Sequence, residues 1–377
     1  MKIPMKKLLI FLLILPTTIL ADSESGSKAM DHAPIILADS ESGSRAMDHA
    51  PIGVVMVKHF GVMTEHSHEQ GGSMISVRQG YMEMSGNIYN GNSISVADIL
   101  AMPNPLGNMP TNLSVVPTDM EMKMTMVGAM YTPTDKVTLM VMGMFMSKDM
   151  NLNTYQSMMN RDLLGTFSTS SSDISDVSFS ALIKLKETGT SRWHGELTLQ
   201  QSVGDNDSKD TVLTPMGINM EMILPYGMQS GDGASRLVLG ITNVKKLNES
   251  MVWGNQLRGK FVVSEDDWSF GDQTEFNSWL QYELNQSVSL SSRLKFAHQD
   301  KISGNNSMIN APAQTANPAN YGGKEWHLGL GINLLAHLLP GESDRFGLEF
   351  LIPIQQEKNN LQMETDHQII FGYQKSF

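Results

Sequence analysis

The stretch DMEMKMTMVGAMYTPTDKVTLMVMGMFM, residues 119–146, places methionine at alternate positions on both sides of a Thr-Pro-Thr-Asp turn. Alternation over segments of this length indicates β-strands, in which successive side chains point to opposite faces. The turn residues between the two runs predict a β-hairpin.

The faces of this hairpin follow from its register. If Tyr131 pairs with Lys136, one face is apolar and carries Met120, Met122, Met124 and Met126. The other face then carries Glu121 and Lys123 beside Met140, Met142, Met144 and Met146. Because a lysine at the bilayer midplane costs about 2–4 kcal/mol, we expect the first face to contact lipid and the second to line a lumen.

Similar alternating segments recur along the chain and predict an all-β fold, an antiparallel transmembrane β-barrel of about 12 strands over residues 73–377. The connections alternate between short polar turns and long loops, as in outer-membrane barrels with both ends in the periplasm. The predicted long loops are 85–118, 147–174, 204–234 and 300–322. The predicted strands are 73–84, 119–131, 136–146, 175–186, 192–203, 235–246, 250–263, 272–284, 287–299, 323–335, 345–356 and 364–377.

The N-terminal region differs from the rest. Residues 1–21 combine a basic start, a short apolar run and a small residue at Ala21, which predicts a secretory signal peptide. Residues 22–72 are predicted to be a disordered periplasmic leader, because their composition cannot bury an apolar face. A 17-residue tandem duplication, ILADSESGSKAMDHAPI then ILADSESGSRAMDHAPI, runs from 19 to 52.

Composition excludes several classes of protein. The net charge of −12 and the lack of a basic cluster argue against a nucleic-acid partner. The chain has no cysteine, so disulfides and thiolate sites are impossible. It contains no nucleotide-binding or hydrolase motif, so we expect it not to be an enzyme.

Metal binding is an alternative. His66 and His68 are two residues apart, so on an extended strand both rings point the same way. With Met63 and His59 nearby they form a candidate copper site. His32 and His49 in the duplicated leader could add to the capture of copper, and the inward methionines could receive it as Cu(I). Those methionines could equally fill a narrow barrel or line a passage for apolar molecules.

The C-terminal strand HQIIFGYQKSF places Ile369, Phe371, Tyr373 and Phe377 on one face. A terminal phenylalanine on an alternating strand resembles the signal read by the barrel assembly machinery. Other segments resemble outer-membrane transporters grouped with the meta-pathway of phenol degradation: APIG (50–53), GVMTEHSH (61–68), DTVLTPMG (210–217), LPYGMQSGDG (224–233), SFGDQTEFNSWLQY (269–282), APAQTANPANYGG (311–323) and the last 17 residues.

The resemblance implies a barrel in the outer membrane of a Gram-negative bacterium, in contact with its lipid, that takes up small aromatic compounds. We therefore expect passage or binding of a small hydrophobic or aromatic solute. A copper-handling barrel and a barrel-embedded hydrolase are the alternatives.

Overall fold

The computed structural model describes Gly61, Val62, Thr64 and residues 70–107, 109–157, 160–338 and 343–377. In this part of the chain twelve strands form a closed antiparallel β-barrel. The strands are β1 (Ser73–Tyr89), β2 (Val115–Thr134), β3 (Val137–Tyr155), β4 (Leu163–Glu187), β5 (Ser191–Ser202), β6 (Ser235–Lys246), β7 (Met251–Ser264), β8 (Gln273–Glu283), β9 (Val288–Gln299), β10 (Gly323–Ala336), β11 (Ser343–Lys358) and β12 (Leu361–Ser376).

Each strand pairs with the next in chain order, and the first pairs with the last. The β1–β12 ladder runs from Met74 opposite Ser376 to Tyr89 opposite Leu361. Closure leaves no unpaired edge among these strands, as the interior of a bilayer requires. The predicted fold class is confirmed, and each of the twelve predicted segments overlaps one observed strand.

Smaller elements lie in the long connections. They are the strands Asn92–Ser93, Lys209–Leu213, Asn219–Ile223, Trp268–Ser269 and Ser303–Gly304, the helix α1 (Val96–Ala101), and the 3-10 turns Tyr226–Met228, Gln314–Ala316 and Pro318–Asn320. The turn after β1 uses Asn90 and Gly91, both with positive φ, as a two-residue hairpin turn requires. No helix of the described residues is long and apolar enough to cross a bilayer.

The outer wall carries an apolar band near the short-turn end of the barrel. Its residues alternate with inward-facing ones and are exposed although they are large and hydrophobic. Such a band is what a barrel dissolved in lipid presents, so the protein is an outer-membrane barrel. The band includes Val127, Tyr131, Leu139, Val141, Phe145, Phe179, Leu197, Leu199, Leu330, Leu348, Phe350 and Phe371.

The observed register of the methionine hairpin differs from the predicted one. Tyr131 pairs with Leu139, and Met124 pairs with Met146. The predicted Tyr131–Lys136 pairing is wrong by three residues. The turn is shorter than predicted, since Thr134 pairs with Val137, and a β-bulge between Tyr131 and Thr134 shifts the register by one residue in the opposite sense. An odd displacement moves one strand's side chains to the other face. Both methionine runs therefore share the inward face.

Glu121 and Lys123 consequently lie on the outer wall, and the prediction that they line the lumen is wrong. Their side chains form an exposed ion pair, with Lys123 Nζ 3.3 Å from Glu121 Oε2. They lie beyond the apolar band: Thr125 pairs with Phe145, and the next outward pair is Lys123 with Ser147. The cost of charge in lipid, which motivated the prediction, does not apply at this height.

Charged residues can stand on the outer wall at this height because the strands are longer than the membrane requires. A barrel strand crosses the hydrocarbon in about 9–11 residues, whereas β4 has 25 residues. Residues 147–155 and 163–174, predicted to be loop, extend the β3–β4 ladder, and only 156–162 connect the two strands. Polar cross-strand contacts such as Thr166 Oγ1 to Asn153 Oδ1, 2.7 Å, stabilise the extension.

Candidate functional site

The lumen has one wall built largely of methionine. Cross-strand neighbours on the inward face include the pairs Met82–Met122, Met124–Met146, Met126–Met144 and Met130–Met140. Alternation explains this wall, since every second residue of adjacent strands points inward. We call it the methionine wall; it consists of Met74, Met82, Met84, Met120, Met122, Met124, Met126, Met130, Met140, Met142, Met144, Met146, Met150 and Met363.

The opposite wall carries charge. Inward-facing cations on β7, β9 and β11 are held by carboxylates on the adjacent strand or on the next strand but one. The ion pairs are Arg258–Glu196 at 2.8 Å, Arg293–Glu349 at 2.6 Å, Lys295–Glu275 at 3.1 Å and Lys358–Glu325 at 3.1 Å. Pairing reduces the free energy of burying each charge inside the barrel.

The pair Arg293–Glu349 is the most deeply buried, with both side chains at most 3% exposed. Arg293 donates from Nε and Nη2 to the two carboxylate oxygens, and from Nη1 to Asn277 Oδ1 at 3.0 Å. This bidentate geometry fixes the positions of β9 and β11 across β10.

Part of the N-terminal region lies inside the barrel. Thr64 Oγ1 donates to Glu196 Oε2 at 2.8 Å, and the carbonyl oxygen of Thr64 is 2.6 Å from His194 Nε2. Val62, 1% exposed, packs against Val244, Val252 and Trp279.

Gly61 lies so close to Glu349 that a Cβ there would collide with the carboxylate. We call Gly61, Val62 and Thr64 the lumen plug, because they occupy the half of the barrel nearer the short turns. A small cavity of about 20 Å³, bordered by Thr64 and Met142, lies beside the plug.

Above the plug is a cavity of about 590 Å³. The methionine wall borders it through Met122, Met124 and Met146, and the charged wall through Lys295 and Lys358. Loop residues complete it at the end of the long connections, among them Met228, Phe270, Gln314 and Tyr321. This size is typical of a small-molecule site.

The loops over the cavity are packed against one another. Tyr226, Trp268, Ile302, Ile309 and Ala316 form a buried apolar cluster drawn from three different connections. Asp232 adds a buried ion pair with Arg236 and accepts from the backbone N–H of Phe270. Burial alone would raise the pKa of Asp232, but the hydrogen bonds and charge of Arg236 hold it below its ordinary value.

The structure describes the predicted methionine residues but not the predicted histidine site. Met140, Met142, Met144 and Met146 lie on the inward face of β3, as does the first methionine run, which was expected to face lipid. The signal peptide, the tandem duplication, His59, Met63, His66 and His68 lie outside the described residues. Within the described residues no three His, Asp or Glu side chains are grouped so as to hold a metal ion.

Several cavity residues could not be predicted from the sequence. Lys148 and His327 lie in segments whose inward face could be assigned only once the register was known. The contacts of Thr64 with His194 and Glu196 join residues about 130 positions apart, and local patterns do not encode such distant contacts.

Comparison with known proteins bears on the fold. No protein-family model and no curated protein matches the sequence, so the resemblance to the meta-pathway family stays a prediction. Among solved structures, an outer membrane channel from Pseudomonas putida F1 is similar with a TM-score of 0.51 and 12% identity, covering 83% of this chain and 98% of that one.

Two further similar structures are also channels or their relatives. A TodX mutant, a monoaromatic hydrocarbon channel, has a TM-score of 0.42 and 10% identity, covering 82% of this chain and 91% of its own. A Pseudomonas aeruginosa FadL homologue has a TM-score of 0.37 and 8% identity, covering 82% and 90%. Identities this low establish the barrel fold alone.

Proposed function

We propose that the protein is an outer-membrane channel that binds small hydrophobic or aromatic solutes in the 590 Å³ cavity and passes them inward. The observation that carries this proposal is the methionine wall. Flexible, polarizable thioethers adapt to apolar solutes of different shapes and make favourable contacts with aromatic rings. The similar Pseudomonas putida structure is described as an outer membrane channel, which is compatible with this role.

The charged wall also supports the proposed binding of a solute in the cavity. Its ion pairs leave the cavity with one apolar side and one polar side, and such a site orients a solute as well as holding it. Passage beyond the cavity requires the lumen plug to move, because Val62 and Thr64 occupy the path toward the short-turn end. Binding and passage are therefore separate steps.

The proposal is tested by replacing part of the methionine wall. The triple variant Met122→Gln, Met124→Gln and Met146→Gln keeps the side-chain length but makes three cavity contacts polar. We expect weaker binding of a neutral aromatic probe, 4-fluorobenzyl alcohol, measured by ¹⁹F NMR with the protein in lipid nanodiscs. We also expect slower uptake by cells producing the variant.

The matched control is Met216→Gln, because Met216 is 81% exposed and lies in a loop away from the cavity. It should bind and take up the probe like the wild type. Equal binding by the triple variant and the wild type, with both folded, would overturn the proposal.

Copper handling is the second candidate, and the cross-strand methionine pairs favour it. Soft thioethers select Cu(I) over harder ions, and Met124–Met146 and Met126–Met144 are directly opposed. Titration of the folded barrel with Cu(I), and of a peptide covering residues 22–72 with Cu(I) and Cu(II), tests this function. Affinities no better than millimolar would remove it.

The last strand is the proposed contact for the barrel assembly machinery. Phe371 and Phe377 are each 50% exposed, and so both are accessible at the barrel surface. Truncation of Phe377 should reduce the amount of folded protein in the outer membrane without changing its solute preference. Full assembly of the truncated chain would exclude this contact.

A further inference from the structure

On β3, Lys148 interrupts the methionine wall with a charge, as Arg78 does on β1. It lies on the inward face of β3 between Met146 and Met150, and Met122 is its partner on β2. Its side chain is buried, at 5% exposure, and it borders the 590 Å³ cavity. A cation buried among thioethers loses its hydration without gaining much in return.

The contacts of Lys148 leave its charge without a close partner. Nζ donates to the carbonyl oxygen of Gln229 at 2.5 Å, which uses one of the three ammonium donors. Among the described residues no carboxylate oxygen lies within 4.0 Å of it. Lys295 and Lys358 across the cavity differ in this respect, because each is paired with a glutamate.

Two carboxylates act on Lys148 from farther away, those of Asp176 and Asp232. Asp232 is already paired with Arg236. Asp176 accepts from the hydroxyl of Ser175 at 2.9 Å. Asp176, which also acts on Lys260, is thus the carboxylate with which an incoming anion would compete for Lys148.

Other polar atoms around the cavity make no hydrogen bond within the described structure. His327 is 1% exposed, and neither of its ring nitrogens makes a hydrogen bond, although Nε2 is 3.6 Å from Glu325 Oε2. Gln314 is 1% exposed; its Nε2 donates to Asn87, but its Oε1 accepts nothing. Buried polar groups in native proteins are normally satisfied, so these atoms indicate that the cavity is shaped for a ligand with polar groups.

We propose that the cavity takes a small monocarboxylic acid with an apolar body, its carboxylate on Lys148 and its body against Met122 and Met146. This inference rests on the proposed function and narrows it to a class of solute. Among the described residues that border the cavity, Lys148 is the one lysine without a carboxylate oxygen within 4.0 Å, and its charge matches one negative charge. A phosphate or a dicarboxylate would leave a second charge uncompensated. Hydrogen bonds between ions of opposite charge are the strong ones in such a setting.

The test compares an acid with its alcohol. Binding of 4-fluorobenzoate and 4-fluorobenzyl alcohol to the full chain in zwitterionic nanodiscs is measured by ¹⁹F NMR at pH 7. We expect the wild type to bind the acid at least about tenfold more tightly than the alcohol, the lower end of what a hydrogen bond to a charged group contributes.

Variants locate the source of the preference. Lys148→Met continues the methionine wall and should weaken acid binding about 10- to 100-fold while leaving alcohol binding within about twofold. Lys148→Arg retains the charge and should keep the preference. Asp176→Asn removes the competing carboxylate and should strengthen acid binding. The control Lys123→Met makes the same change on the outer wall and should leave both affinities unchanged.

The outcomes separate the two proposals. Binding of the alcohol with no preference for the acid, or acid binding unchanged in folded Lys148→Met, would overturn the carboxylate site and leave the proposed function standing. If neither solute binds the wild type, both proposals are wrong. If Lys148→Met does not fold, as judged by its heat-dependent gel migration, the wild-type preference and Asp176→Asn decide the question.

Discussion

Loosening the lumen plug should open the barrel to ions. The double variant Val62→Ala and Thr64→Val removes two contacts that hold the plug while keeping the chain length and the glycine at position 61. Thr64→Val deletes the hydroxyl that donates to Glu196 at 2.8 Å. Glu196 keeps its bonds from Arg258 and Thr198, so its charge remains compensated.

The size of the effect follows from these contacts. A hydrogen bond to a charged group contributes about 1.5–3 kcal/mol. Val62→Ala removes two buried methyl groups, each worth about 0.8 kcal/mol. Together the losses come to about 3–4.5 kcal/mol, which raises the ratio of displaced to seated plug by roughly two to three powers of ten.

The assay is the conductance of single barrels in a planar lipid bilayer. We expect the wild type to be closed for most of the recording and the double variant to open far more often. The control is Thr125→Val with Val127→Ala, the same pair of changes on the outer wall, where Val127 is 51% exposed. A double variant that is folded and as closed as this control would refute the view that these residues block the lumen.

Three further changes test other parts of the structure. Arg293→Met should lower the free energy of unfolding by about 3–5 kcal/mol, because it removes the charge and the two hydrogen bonds that Arg293 supplies to the buried carboxylate of Glu349. Adding Glu349→Leu should recover most of this loss in urea titrations followed by gel migration, and equal instability of both variants would contradict the expectation. Leu330 faces outward in the apolar band and is 61% exposed, so Leu330→Lys should lower the free energy of unfolding by about 2–4 kcal/mol in the same titration. Met308→Lys, in a loop, should lower it little. Equal losses in the two variants would contradict the assignment of Leu330 to the lipid-facing band. The pKa of Asp232 is lowered in the folded state, so its contribution to the free energy of unfolding is present at neutral pH and is lost as pH falls through the folded-state pKa. The destabilisation caused by Asp232→Asn should therefore shrink on acidification. A constant or growing difference in stability would contradict the ion pair with Arg236.

The barrel could be predicted from the sequence because its signals are local. Alternation along each strand and the short turns at one end located all twelve strands. The outward face of the last strand, with Phe371 opposite Leu348, also follows from alternation.

The faces of the methionine hairpin could not be predicted reliably. The assumed turn of residues 132–135 was too long by two residues, because Thr134 pairs with Val137 and Thr132 and Thr138 contact through their hydroxyls at 2.9 Å. A β-bulge between Tyr131 and Thr134 then shifts the register by one residue. One such error moves Met120 to Met126 from the lumen to the lipid. The position of Glu121 and Lys123 beyond the apolar band could not be predicted either, since alternation does not tell where the hydrocarbon of the membrane ends.

The cavity residues depend on contacts between distant parts of the chain. Whether Lys148 has a carboxylate partner is decided by the side chains that other strands and loops bring near it, not by its neighbours in sequence. The plug likewise depends on Thr64 meeting His194 and Glu196.

The length of β3 and β4 determines where the cavity lies relative to the apolar band. Met146 and Lys148 border the cavity, and both come after Phe145, the last large apolar residue on the outer face of β3. On the β2–β3 side of the barrel the cavity therefore extends beyond the apolar band. The protruding strands thus carry the methionine lining past the level of the lipid-facing residues, so an apolar solute bound there would contact thioethers before it meets the bilayer.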